Sequence, residues 1–132
     1  MNKKFIEIIN LKKIFKHKNG IIELFSKVNL KINKGDLIAL VGPSGSGKSS
    51  FLHLLALLED PTNGKILLNN KDTNFLSNEE KDQVRRENIS IIFQDNNLLS
   101  DFTALENVMM PFIIKGEKKA VSNEKAVKIL KQ

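Results

Sequence analysis

Gly42-Pro43-Ser44-Gly45-Ser46-Gly47-Lys48-Ser49 is the stretch on which the reading of this chain turns. Its eight positions match G-x-x-x-x-G-K-[ST] without a gap. Glycines at these places permit backbone angles that a Cβ forbids and let the chain approach a ligand closely. Successive backbone N–H groups can then converge on phosphate oxygens, helped by the positive end of a following helix. In such a loop the Lys48 ammonium lies between the β- and γ-phosphates, and the Ser49 hydroxyl ligates Mg²⁺. The flanks agree with this reading. Leu37-Ile38-Ala39-Leu40-Val41 is apolar throughout, as in a strand buried on both faces of a sheet. A helix is expected from about Lys48 to Leu58, stopped before Pro61. A plain Gly/Ser turn with an exposed lysine would require none of this order.

Before the loop the sequence reads as β structure. Phe5–Ile9 is a predicted strand, Lys16–Gly20 a polar turn, and Ile21–Leu24 and Val28–Ile32 alternate with period two. Asn33-Lys34-Gly35-Asp36 turns the chain into the apolar run. Beyond the loop, Asn63-Gly64 marks a turn and Lys65–Leu68 a short strand. Ser77-Asn78-Glu79-Glu80 and Thr103-Ala104-Leu105-Glu106 are capping boxes. They open helices expected to end near Arg86 and Ile114. Ile89–Phe93 is a further predicted strand, ending at Gln94. A last helix is expected from about Ser122, with Ala126, Val127, Ile129 and Leu130 as an apolar stripe for which the preceding sequence supplies no obvious partner.

Composition narrows the classes. A chain of 132 residues with 41% hydrophobic and 27% charged residues is an ordinary globular domain or part of one. The longest apolar run, Phe51–Leu58, is broken by His53 and is too short to span a bilayer. The basic start, Met1 to Phe5, is followed by no signal core, because Glu7, Asn10, Lys12 and Lys13 interrupt it; a cytosolic protein is expected. With no cysteine, disulfides and thiolate chemistry are excluded. The net charge of +6 rests on lysine, 19 of the 21 basic residues, and not on arginine clusters with interleaved aromatics. That argues against a nucleic-acid surface and suits an anionic nucleotide.

Three features together narrow the family: the antiparallel segment before the loop, the loop itself, and a predicted strand ending in Phe93-Gln94. They resemble an ATP-binding cassette domain. Leu98–Pro111 and His53 within Phe51–Leu55 are similar to the ATPase of the bacterial lipoprotein-releasing system; macrolide-exporter and cell-division ATPases share a similar pattern. The resemblance implies an α/β P-loop NTPase fold with an N-terminal antiparallel β subdomain. It places that subdomain at about 1–40, the loop and its helix at about 41–60, the glutamine strand at about 89–94 and the start of a helical subdomain at about 95–132. It implies that Gly42, Pro43, Ser44, Gly45, Ser46, Gly47, Lys48, Ser49 and Ser50 bind ATP, with Ser49 and Gln94 at Mg²⁺. Phe15 falls where the family stacks an aromatic on adenine, commonly Tyr; a core aromatic at a strand end is the lesser reading there. The partners implied are transmembrane permease subunits, near 95–115, and a second ATPase subunit, with no nucleic acid. The implied place is the cytoplasmic face of the inner membrane. Met109, Met110 and Phe112 are open to two readings, permease-facing surface or core. His17, Glu59-Asp60 and Glu79-Glu80 receive no chemical role.

The family pattern continues with a Leu-Ser-Gly-Gly-Gln-type signature, a Walker B strand ending in Asp-Glu and a switch histidine, and the 132 residues contain none of them. The sequence is therefore read as truncated before the signature and Walker B elements, with an unpaired central strand and an exposed apolar face. Nucleotide binding without hydrolysis follows as the expectation. The alternatives kept beside it are a non-catalytic product of a broken gene and a different P-loop enzyme, such as a kinase or GTPase. The stretch from Phe93-Gln94 to Pro111 argues against the different P-loop enzyme.

Overall fold

The computed structural model describes residues 4–18 and 20–132. Met1–Lys3 of the basic start and Asn19 of the expected turn lie outside the described residues. The chain divides into two compact units, Met1–Arg85 and Arg86–Gln132.

The first unit is built on a four-stranded antiparallel sheet. Its strands are β1 (Lys4–His17), β2 (Gly20–Asn33), β3 (Asn63–Leu68) and β4 (Lys71–Asp72), in spatial order β2-β1-β3-β4. The two alternating runs expected at Ile21–Leu24 and Val28–Ile32 are one 14-residue strand, and β1 likewise runs well past Ile9. Both strands continue through breaks in the alternation because bulges absorb them. Asn10 and Lys27 take left-handed backbone angles, with φ of 48° and 56°. The Asn29 side chain accepts from the Asn10 backbone N–H at 2.9 Å and donates to the Lys27 carbonyl at 2.9 Å, which pins the irregular step. β3 then crosses this bulge at Gly64, whose φ is +81° and whose Cβ position lies only 2.3 Å from the Asn10 carbonyl oxygen. No side chain fits there.

Helix α1 (Lys48–Leu55) packs on this sheet. Ile8, Leu11, Phe51, Leu54 and Ile66 form the buried cluster, with Phe25, Val28 and Leu30 against it. Phe25 and Phe51 meet edge to face, centroids 5.7 Å apart. The helix ends at Leu55, three residues before the expected stop at Leu58; Leu57 adopts φ 57° and closes the turn. Helix α2 (Asn78–Asn88) begins at the expected capping box. The Ser77 N–H donates to Glu80 Oε2 at 2.8 Å and the Glu80 N–H to Ser77 Oγ at 3.2 Å.

In the second unit, α3 (Ala104–Ile114) carries its capping box with both hydrogen bonds formed. That box, led by the Thr103 backbone N–H, holds the Glu106 carboxyl below the usual carboxylate range. Helix α4 (Lys119–Leu130) starts three residues earlier than expected. It packs on α3 through buried Met109, Ser122 and Ala126. The apolar stripe of α4 is thus met in part by α3, while Ile129 and Leu130 remain about half exposed. Met109 is core; Met110 and Phe112 are half-buried, with the Lys125 ammonium 5.3 Å from the Phe112 ring centroid.

Two predicted strands are absent. Leu37–Val41 and Ile89–Phe93 belong to no strand or helix. Instead of being buried on both faces, Leu37 is 102% and Val41 85% exposed, and Ile92 is 101% exposed. A strand exists only as a member of a pair, and neither run is paired with any strand among the described residues.

Candidate functional site

The loop from Gly42 to Ser50 joins the extended run to α1. Gly47 is the N-cap of α1, with φ +87°, and its Cβ position would lie 3.4 Å from Leu24 Cβ. The position therefore requires left-handed backbone and leaves little room beside β2. Helix hydrogen bonding begins with the Phe51 N–H donating to the Gly47 carbonyl at 2.8 Å, and the Ser46 N–H donates across the loop to the Pro43 carbonyl at 3.3 Å. No side chain caps α1 and no acid stands in its first turn. Its N-terminal amides and dipole are therefore left without an internal anion.

Lys48 lies across the loop. Its Nζ donates to the carbonyls of Gly42 at 2.8 Å and Pro43 at 2.7 Å. An ammonium has three donors, so one N–H is left for an anion while the other two brace the loop. Ser49 and the loop residues 42–46 are exposed; Gly47, Lys48 and Ser50 are half-buried. Phosphate fits this donor set, which combines glycine backbone, one braced ammonium and hydroxyls in the first helical turn. Mg²⁺ fits only as an ion that arrives with the phosphate. Among the described residues no three or more His, Cys, Asp or Glu side chains come together as a metal site. Ser49 supplies a single hydroxyl, which suits a cation otherwise ligated by phosphate oxygens and water. A largely apolar cavity of about 420 Å³ lies between β2 and the loop, lined by Phe25, Val28, Leu30 and Phe51 together with Gly42, Gly47 and Lys48 of the loop.

Phe15 belongs to the same unit as the loop and is 38% exposed, with the Lys13 ammonium 4.9 Å from its ring centroid. Gln94 belongs to the second unit, exposed at a bend. The sequence reading missed a polar cluster beside Phe15. Lys13 is buried, with Nζ 2.9 Å from Glu59 Oε2, and His53 Nδ1 is 3.3 Å from Glu59 Oε1. Glu59, read only as a helix-end acid, is held below the usual carboxylate range by Lys13 first and by His53 as well. The spacing of Lys13, two residues before Phe15 on one strand, was the available signal.

The ABC transporter family profile matches residues 25–132. The chain belongs to the ABC transporter family. Two of its relatives are the lipoprotein-releasing system ATP-binding proteins LolD of Rickettsia bellii and Legionella pneumophila strain Paris. The first is 41% identical over 98% of this chain and 57% of its own length, the second 44% identical over 84% and 49%. The chain thus spans about half the length of the curated relatives it matches. Among solved structures, the ATP-binding cassette MJ0796, in a dimeric post-hydrolysis state bound to ADP and Pi, superposes with a TM-score of 0.87 at 36% identity. The match covers 96% of this chain and 56% of that one. The fold is accordingly that of an ABC ATPase cassette with its N-terminal antiparallel sheet. No helix among the described residues is long and apolar enough to cross a membrane.

Proposed function

We propose that the chain binds Mg-ATP through Gly42–Ser50, as the nucleotide-binding part of an ATP-binding subunit in a lipoprotein-releasing type ABC transporter. The observation that carries this reading is the geometry at Gly47–Ser49: a left-handed glycine, an uncapped helix start and a lysine braced over the loop with one donor to spare. The LolD relatives support the lipoprotein-release assignment. In the whole protein, ATP binding and hydrolysis would be coupled to lipoprotein release at the cytoplasmic face of the inner membrane. Permease subunits would contact residues near 95–115, and a second ATPase subunit would complete the pair. Gln94 would join Ser49 at Mg²⁺, and Phe15 would stack on the base. When bound, Mg²⁺ supplies charge neutralisation on the phosphates. The chain's own residues orient the phosphates through the loop backbone, and Lys48 balances their charge.

The test is Mg-ATP binding by calorimetry. Lys48→Ala removes a charge-assisted phosphate contact and is expected to cost about 2 kcal/mol of binding. Equal affinity of the two chains would overturn the assignment.

A further inference from the structure

Lys13 is a lysine buried beside the residue that would stack on the base. Its ammonium makes three approaches: the Asp60 carbonyl oxygen at 2.9 Å, Glu59 Oε2 at 2.9 Å, and the Phe15 ring, with its centroid 4.9 Å away. Both oxygens belong to the segment following α1, so the charge that stands over the aromatic face is tethered to that segment. Satisfying Glu59 alone would not require the ring.

The sheet sets where this ring stands. Lys13 pairs with Phe25 across β1 and β2, and Phe15 pairs with Ile22. Phe25 Cδ1 lies 3.5 Å from the Cβ position at Gly47. Phe15 is therefore two residues along β1, roughly 7 Å, from the rung that touches the last glycine of the loop.

We propose that Lys13 is a positioning residue for nucleotide binding: it covers one face of the Phe15 ring and holds the ring so that a purine stacks on the opposite face. The inference rests on the reading of Gly42–Ser50 as the phosphate site. Two effects favour it. A ring already held by a cation gives up less rotamer freedom when a base arrives. A cation on one face also draws π density towards itself, leaving the outer face less repulsive to an electron-rich base.

The experiment compares ATP with inorganic tripolyphosphate, which engages the loop but has no base. Lys13→Met keeps the aliphatic stem and removes the charge. It is expected to weaken ATP roughly threefold to tenfold, leave tripolyphosphate unchanged, and have no further effect in a Phe15→Ala background. Lys13→Arg, which also sits over aromatic rings, is expected to restore most of the ATP affinity. Where Lys13→Met does not fold by circular dichroism, Glu59→Gln loosens the tether and is expected to give a smaller loss, again selective for ATP. Equal losses for ATP and tripolyphosphate, or an ATP affinity indifferent to the folded variants, would overturn the role of Lys13 alone. Failure of the unaltered chain to bind tripolyphosphate would overturn the phosphate-site reading and this inference with it.

Discussion

Gly64 and Lys48 show what a single residue decides here. At Gly64 the obstacle to a side chain is backbone: Asn10 O at 2.3 Å, Asn10 C at 2.5 Å and Ile9 O at 2.6 Å from the Cβ position. Backbone in a paired strand cannot yield as a flexible side chain would. Left-handed strain and overpacking therefore add, and Gly64→Ala is expected to cost roughly 2–4 kcal/mol of stability, measured by urea unfolding. A loss below 0.5 kcal/mol would mean that β3 does not cross the bulge this closely. Sequence pattern marks Asn63-Gly64 as a turn, which is a local statement; that the glycine is needed for a contact with a strand more than 50 residues earlier is not local. Lys48 is the opposite case. The role proposed for it rests on eight consecutive residues, because phosphate binding by a loop depends on local backbone and one following side chain.

Between elements, the tie from β1 to the end of α1 runs through charge. Lys13 meets Glu59 and the Asp60 carbonyl, while Lys81 of α2 reaches Asp60 Oδ1 at 2.6 Å. The Glu59 carboxyl is held low by Lys13 and then His53. A carboxylate depressed in the folded state contributes stability above its unfolded value, about 4.3. That contribution is lost as pH falls through the lower folded value. Glu59→Gln is therefore expected to destabilise the chain at neutral pH, with the gap to the unaltered chain closing in the acid range below about pH 4. Urea midpoints at pH 7, 5 and 3.5 check this; a gap that persists unchanged at pH 3.5 would exclude the ion pair as its source. The helices opened by Ser77 and Thr103 were legible because a capping box closes within four residues. The Lys13–Glu59 pair was not, since its partners are 46 positions apart and only folding brings them together.

At the scale of the whole chain, phosphoryl transfer requires several groups acting as a unit. The 132 residues contain Lys48, Ser49 and Gln94 but no Walker B carboxylate pair, signature loop or switch histidine. Ground-state contacts alone lower no barrier. Lys48→Ala is expected to abolish nucleotide-dependent phosphate release in any protein that carries this site, measured beside the unaltered protein, and turnover indifferent to the substitution would exclude the loop from the reacting unit. The sequence by itself determined the Gly42–Ser49 motif, the antiparallel β character before it, the capped helices and the family, because each is written in short-range pattern. Tertiary structure alone decided three things: that β1 and β2 run unbroken through their bulges, that Met109 is core, and that Leu37–Val41 and Ile89–Phe93 stand outside any ladder. The physical reason is the same in each case. Apolar periodicity states which residues can be buried, but a strand or a buried face also needs a partner at the right distance, and pairing is a property of the assembled chain.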